Sequence, residues 1–180
     1  VAVETLRSKK TKGYFGDKDF VVLAGGGFAC FKRVKEVGLD TFLQDYNIQR
    51  EELTVIEVQK IIEVILDRIE EENGEIDSIL ILYAFQSAMA NMLLGKLTEP
   101  TEFLSIFCEI FISMIIREDA NEALTSMFRD ISTETFNKSI EEFSKRYVKE
   151  NFMVLIENCS NGEIQIEELI KKLQDTLNKK

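Results

Sequence analysis

The chain has 180 residues, 45% of them hydrophobic, with one proline, no histidine and a net charge of −10. That size and apolar content suit a single soluble domain able to bury a continuous core. Without histidine the commonest general base is missing, along with the triads built on it and every zinc site that needs an imidazole, so the expected molecule is not an enzyme and uses no cofactor.

Charge is unevenly spread. Residues 1–35 hold Arg7, Lys9, Lys10, Lys12, Lys18, Lys32, Arg33 and Lys35 against Glu4, Asp17 and Asp19, which leaves that stretch at +5 and the rest of the chain at −15. A basic arm on an acidic body can take an outside anion or fold back on its own surface. No secretory signal pattern opens the sequence, and Cys30, Cys108 and Cys159 are odd in number and far apart. Both features point to a reducing, cytoplasmic setting with free buried thiols.

The first motif is "DFVVLAGGGFACFKRVKEVG", residues 19–38. As a phosphate cradle, Gly25, Gly26 and Gly27 would turn the chain from a strand into a helix whose N-terminal N–H groups face an anion, helped by Lys32 and Arg33. Cys30 stands where G-x-G-x-x-G needs a third small residue, and Phe28 where a P-loop continues with lysine. The favoured reading is a hairpin turn or hinge before a helix that ends at Gly38.

Helical periodicity begins after Asp40. Thr54 and Glu57 form a T-x-x-E capping box ahead of Val58, Ile61, Ile62, Ile65 and Ile69, and Asn73-Gly74 stops that helix. Asp77 is expected to cap a second helix that runs to Gly95, and a third follows Pro100. Asp119 and Glu122 suggest a short helix near residues 121–130. Ser132 or Thr133 then opens a long one striped by Phe136, Ile140, Phe143 and Tyr147, and the last carries Leu169, Ile170, Leu173 and Leu177. Residues 78–95 contain no charge, but Gln86, Ser87 and Asn91 dilute them, and Glu109 crosses the next helix, so the pair reads as a buried hairpin and not as a membrane span. Ala84, Ser87, Ala88 and Asn91 make a small-residue face for a close neighbour, either the same chain or a second subunit.

"ENCSNGEIQIEEL", residues 157–169, resembles an EF-hand calcium loop over about twelve residues. The resemblance implies a turn at Gly162 and ligands among Glu157, Asn161, Glu163 and Glu168. Cys159 at the third position, Glu157 at the first and the lack of a partner loop argue against calcium. An Asn-Gly helix stop followed by a new helix start accounts for the same residues.

Together these features predict an all-α, single-domain bundle of five or six helices around a central apolar hairpin. Residues 1–40 form a basic, glycine-containing segment, irregular or β-hairpin, packed on or extending from a helical domain of residues 41–180. The expected function is a helical protein–protein interaction or regulatory module, acidic and cytoplasmic, whose partner is another protein or a second copy in a homodimer, and not nucleic acid. The rivals are a phosphate- or nucleotide-ligand binding protein using Gly25–Gly27 with Lys32 and Arg33, and a calcium-responsive helical protein.

Overall fold

The computed structural model describes residues 13–49, 54–127 and 133–178. Among these residues the structure is all-helical, with no strand; besides a helical turn at residues 13–15 it has eight helices, more than the five or six expected: α1 Lys18–Val37, α2 Leu39–Asp45, α3 Val55–Asn73, α4 Ile79–Leu93, α5 Pro100–Met127, α6 Thr133–Asn151, α7 Met153–Ser160 and α8 Ile166–Asn178. The basic residues Arg7, Lys9, Lys10 and Lys12 lie outside the described residues, as does Ser132.

The largest departure from expectation is α1. No hairpin or hinge forms; Gly25, Gly26 and Gly27 sit mid-way along one continuous 20-residue helix. The physical reason is visible in the spacing of its buried side chains. Phe20, Leu23, Ala24, Gly27, Cys30 and Phe31 recur at three- and four-residue steps, so an uninterrupted helix buries one full face, and that gain offsets about 1 kcal/mol per glycine lost to poor helix propensity. Asp17 caps the start by accepting the Asp19 N–H at 2.9 Å, and Gly38 ends the helix at φ 85°.

Helix α1 packs against α2, α3, α4, α5 and α8. At its start, Phe15 and Phe20 join Phe107 and Phe111 of α5 in a ring cluster, with Phe20 and Phe107 stacked at 5.0 Å. Buried Asp19 accepts the backbone N–H groups of Asp77 and Ser78 at 3.0 and 3.1 Å, tying α1 to the turn that precedes α4. The α4 cap itself is Ser78, accepting from Ile81, and not Asp77.

The other boundaries follow local chemistry. The Thr54–Glu57 capping box closes in both directions, and Gly74 takes the positive φ that ends α3. Pro100 opens α5, and Glu102 reaches back to the N–H groups of Thr98 and Glu99, which holds its carboxyl below the ordinary carboxylate range. The separate short helix expected near residues 121–130 does not form as such: α5 runs unbroken to Met127, and residues 128–130 lie outside the described ones. An acidic pair at Asp119 and Glu122 is a start signal only where a helix is not already under way. Helices α4 and α5 pack along each other, with α3 beside α4 and α6 beside α5. No helix among the described residues is long and apolar enough to cross a membrane.

Candidate functional site

The glycine stretch is used for packing. Each glycine faces a different helix: a Cβ on Gly27 would sit 2.0 Å from the Phe103 ring of α5, one on Gly26 2.9 Å from Ile69 of α3, and one on Gly25 3.5 Å from Ile166 of α8. Inside a helix their N–H groups belong to the i→i−4 ladder, so they are not free to cradle a phosphate. What the fold does bring together is Gly25, Lys32 and Arg33, on one side of a cleft of about 560 Å³ whose other side is Cys159, Gly162 and residues 164–167. Lys32 lies over the Phe28 ring at 5.4 Å. Arg33 is engaged by Asp45 at 3.1 Å and Glu36 at 4.0 Å. With Glu36 and Glu167 also lining it, the two cations of the cleft are matched by two carboxylates.

The calcium candidates are not gathered into a site. Gly162 makes the turn at φ 79°, but Asn161 is the C-cap of α7 and Glu168 pairs with Lys172 at 3.4 Å on α8. Among the described residues, Glu157 and Glu163 included, no three Cys, Asp or Glu side chains converge as metal ligands. Helix stop, turn and new start is the geometry found.

The small-residue face of α4 divides in two. Ala84 and Ala88 are fully buried within the chain, whereas Ser87 and Asn91 line a groove of about 550 Å³ that runs over α5 to α6. Half-buried Glu109 stands in that groove, and burial pushes its carboxyl up against the opposing pull of Lys145. Arg117, Lys138, Glu141 and Glu142 complete the charged wall, with Arg117 bonded to Glu141 at 2.9 Å. A second groove, about 420 Å³, lies on the other side of α4 against α3, and Val55, Ile62, Ala90 and Leu94 line it. Tyr83 and Ser87 border both grooves.

Between the grooves α4 turns outward a stripe that inspection of the sequence did not single out: Ile79 is 80% exposed, Tyr83 55% and Leu94 39%, and Val55 at the start of α3 is 68% exposed. The 3.6-residue period carries the signal, because Ile79, Tyr83, Gln86, Ala90 and Leu94 fall within one narrow arc of the helix. The complete lack of charge over residues 78–95 hides it, since apolar residues on both faces read as burial.

No family model, curated protein or solved structure matches this chain. The thiols of Cys30, Cys108 and Cys159 are all free and buried, and desolvation raises each one away from the reactive thiolate form. The grooves offer apolar area, small side chains that allow close approach, and polar edges, which are the ingredients of helix recognition.

Proposed function

We propose that the protein is a non-enzymatic helical interaction module of the cytoplasm whose working surface is the outward face of α4 with its two flanking grooves, and that this surface receives a helix from a protein partner. The observation that carries this reading is that exposed Tyr83, Leu94 and Val55 line one groove of about 420 Å³, with exposed Ile79 one turn before Tyr83 on the same arc of α4. Isolated exposed apolar residues are ordinary, but several gathered along one groove are the mark of a docking face. A tyrosine at its centre adds the residue type most enriched at binding hot spots. The three buried free thiols fit the reducing compartment.

The test is a photo-crosslinking amino acid placed at Tyr83 or Leu94 in cells, with Val154 on α7, another exposed apolar position, as the control site. Capture of a defined protein, or of a second copy of this chain, from Tyr83 and Leu94 but not from Val154 is expected. Equal labelling from all three positions, or none from any, overturns the reading.

A further inference from the structure

We propose that the helix received by this surface is α4 of a second copy, in an antiparallel, two-fold pairing centred between Gln86 and Ser87; this rests on the interaction-module reading above and names its partner.

Two features carry it. The first is the order of large and small side chains. A two-fold contact pairs residue i with j and j with i. Along the 15 residues of α4, a helix about 22 Å long, an axis midway between Gln86 and Ser87 sets Ile79 opposite the partner copy's Leu94 position and Tyr83 opposite its Ala90 position. Large residues occupy the two ends of the exposed stripe, while Gln86, Ser87 and Ala90 between them are at least half covered already. Tyr83, exposed and bulky, therefore meets the small Ala90 wall of the groove that Val55, Val58 and Ile62 also line, and Ile79 meets exposed Leu94. The same fit occurs twice by symmetry, so the surface is complementary to itself.

The second feature is charge. Two copies at −10 each repel one another wherever acidic surfaces meet, and the repulsion is only partly screened over the ~8 Å Debye length at physiological salt. Residues 78–95 contain no Asp, Glu, Lys or Arg. Their outward face is where an acidic chain can meet its copy without placing like charges in contact. A basic helix from another protein would find little net charge there to recognise, since Glu63 is the single charged residue lining the α3 side of the stripe and, on the α5–α6 side, Glu109, Glu141 and Glu142 are matched by Arg117, Lys138 and Lys145. A contact confined to one helix and the start of α3 sits at the small end of interface sizes, so association in the micromolar range is expected.

Sedimentation velocity on the full chain at loadings from about 1 to 200 μM, a span chosen to bracket micromolar dissociation, should show a monomer–dimer equilibrium. The dimer should hold or tighten when sodium chloride is raised from low to high concentration, because no attractive charge pair is being screened. Tyr83→Lys and Ala90→Glu should each weaken the dimer at least tenfold while leaving the circular dichroism spectrum unchanged. Mixed in equal amounts, the two variants should associate again, since the mixed dimer has one native Tyr83–Ala90 contact and one Lys–Glu contact. Ser87→Cys, near the axis, should form a disulfide-linked dimer under mild oxidation, and Val154→Cys should not. A wild-type chain that stays monomeric at the highest loading overturns the pairing, as does a dimer indifferent to Tyr83→Lys or one not restored by mixing. If the chain stays monomeric but the Tyr83 crosslinker still captures a different protein, self-pairing falls and the interaction-module reading stands. If it captures nothing, both fall.

Discussion

Helices α1 and α4 both carry small residues, and the fold uses the two sets in opposite ways. In α1 each glycine meets a side chain from another helix: Phe103 and Ile69 crowd Gly27 and Gly26, and Ile166 touches Gly25 at the edge of its cleft. In α4 only Ala84 and Ala88 are taken up inside the chain, while Ser87, Ala90 and Asn91 line open grooves. Small residues in a helix report that something comes close. They do not report whether that neighbour is in the same chain. The answer depends on which arc the other helices cover: α1 packs against five helices and turns a charged arc, Lys32, Arg33, Lys35 and Glu36, to solvent, whereas α4 is backed by α1, α3 and α5 and turns an uncharged arc outward.

The sharpest test of the closed side is alanine at each glycine of α1. Gly27→Ala puts a methyl against three atoms of the Phe103 ring, all closer than 3.0 Å. Overpacking of this kind costs about 1–3 kcal/mol or more, and better helix propensity returns only about 1 kcal/mol. A net loss of about 2 kcal/mol, or a fall in Tm of roughly 4–8 °C, is expected for a chain of this length. Gly26→Ala meets the flexible end of Ile69, so strain and propensity should nearly cancel. Gly25→Ala meets Ile166 at ordinary contact distance and should gain about 0.5–1 kcal/mol. Thermal melts of the three variants should therefore rank Gly27, Gly26, Gly25 from least to most stable. Equal effects at all three would mean the glycines are not contact points. Phe103→Leu, destabilising alone, should cost less in the Gly27→Ala background, because the two positions share one space.

The next largest effect compares the two faces of α4. Ala88→Leu forces three extra carbons into a fully buried site and should cost about 1–3 kcal/mol. Ala90→Leu, at the groove wall, should change the stability of the monomer by no more than about 0.5 kcal/mol. Denaturant melts at low protein concentration isolate that monomer term. A large loss at both positions would mean that α4 has no open side.

Glu109 gives a smaller, pH-dependent effect on the open side. Burial favours its neutral form, so its folded-state carboxyl titrates above its unfolded value. The folded state then binds the extra proton, and stability contributed by Glu109 is present below the unfolded value and lost as pH rises through the raised one. Lys145, Lys138 and Arg117 face it as cations and Glu141 and Glu142 as anions, with Tyr83 at the edge. Glu109→Gln should therefore raise Tm at pH 7, and the gain should shrink towards about pH 4, where the wild-type carboxyl is itself protonated. A variant less stable than wild type at pH 7 would show that attraction by Lys145 outweighs desolvation.

Much of this fold was legible in local signals. The Thr54–Glu57 box, the stops at Gly74 and Gly95 and the start at Pro100 act over one helical turn, and all appear where their residue types place them. What was not legible depends on distant partners. Gly25–Gly27 read as punctuation because a glycine's cost is local, while the helix face that outweighs it needs Phe103 and Ile69, far away in sequence. Asp77 looked like the cap of α4 until Asp19, 58 residues earlier, took its N–H along with that of Ser78. For the candidate site, Ser87 and Asn91 were found by size and spacing, and Ala84 and Ala88 belong to the same pattern but to the core. Ile79, Tyr83 and Leu94 carried no signal apart from their helical register, because nothing in an apolar side chain marks it as exposed.

The smallest effect concerns the turn between α7 and α8, which bears on the closed side because α8 supplies the Ile166 that covers Gly25. An ion bound by Glu157, Asn161, Glu163 and Glu168 would have to draw the first turn of α8, which holds Ile166, towards the end of α7. In the structure Glu168 is instead an exposed first-turn residue of α8 paired with Lys172 four residues on. Such a pair contributes about 0.3–0.5 kcal/mol, and a carboxylate near a helix N-terminus a similar amount. Glu168→Gln should thus cost about 0.5–1 kcal/mol, with the same loss in EDTA and in millimolar calcium, and Tm of the wild type should be unaffected by either addition. A calcium-induced rise of several degrees that Glu168→Gln abolishes would show the loop closing on an ion next to the α8 contact with Gly25.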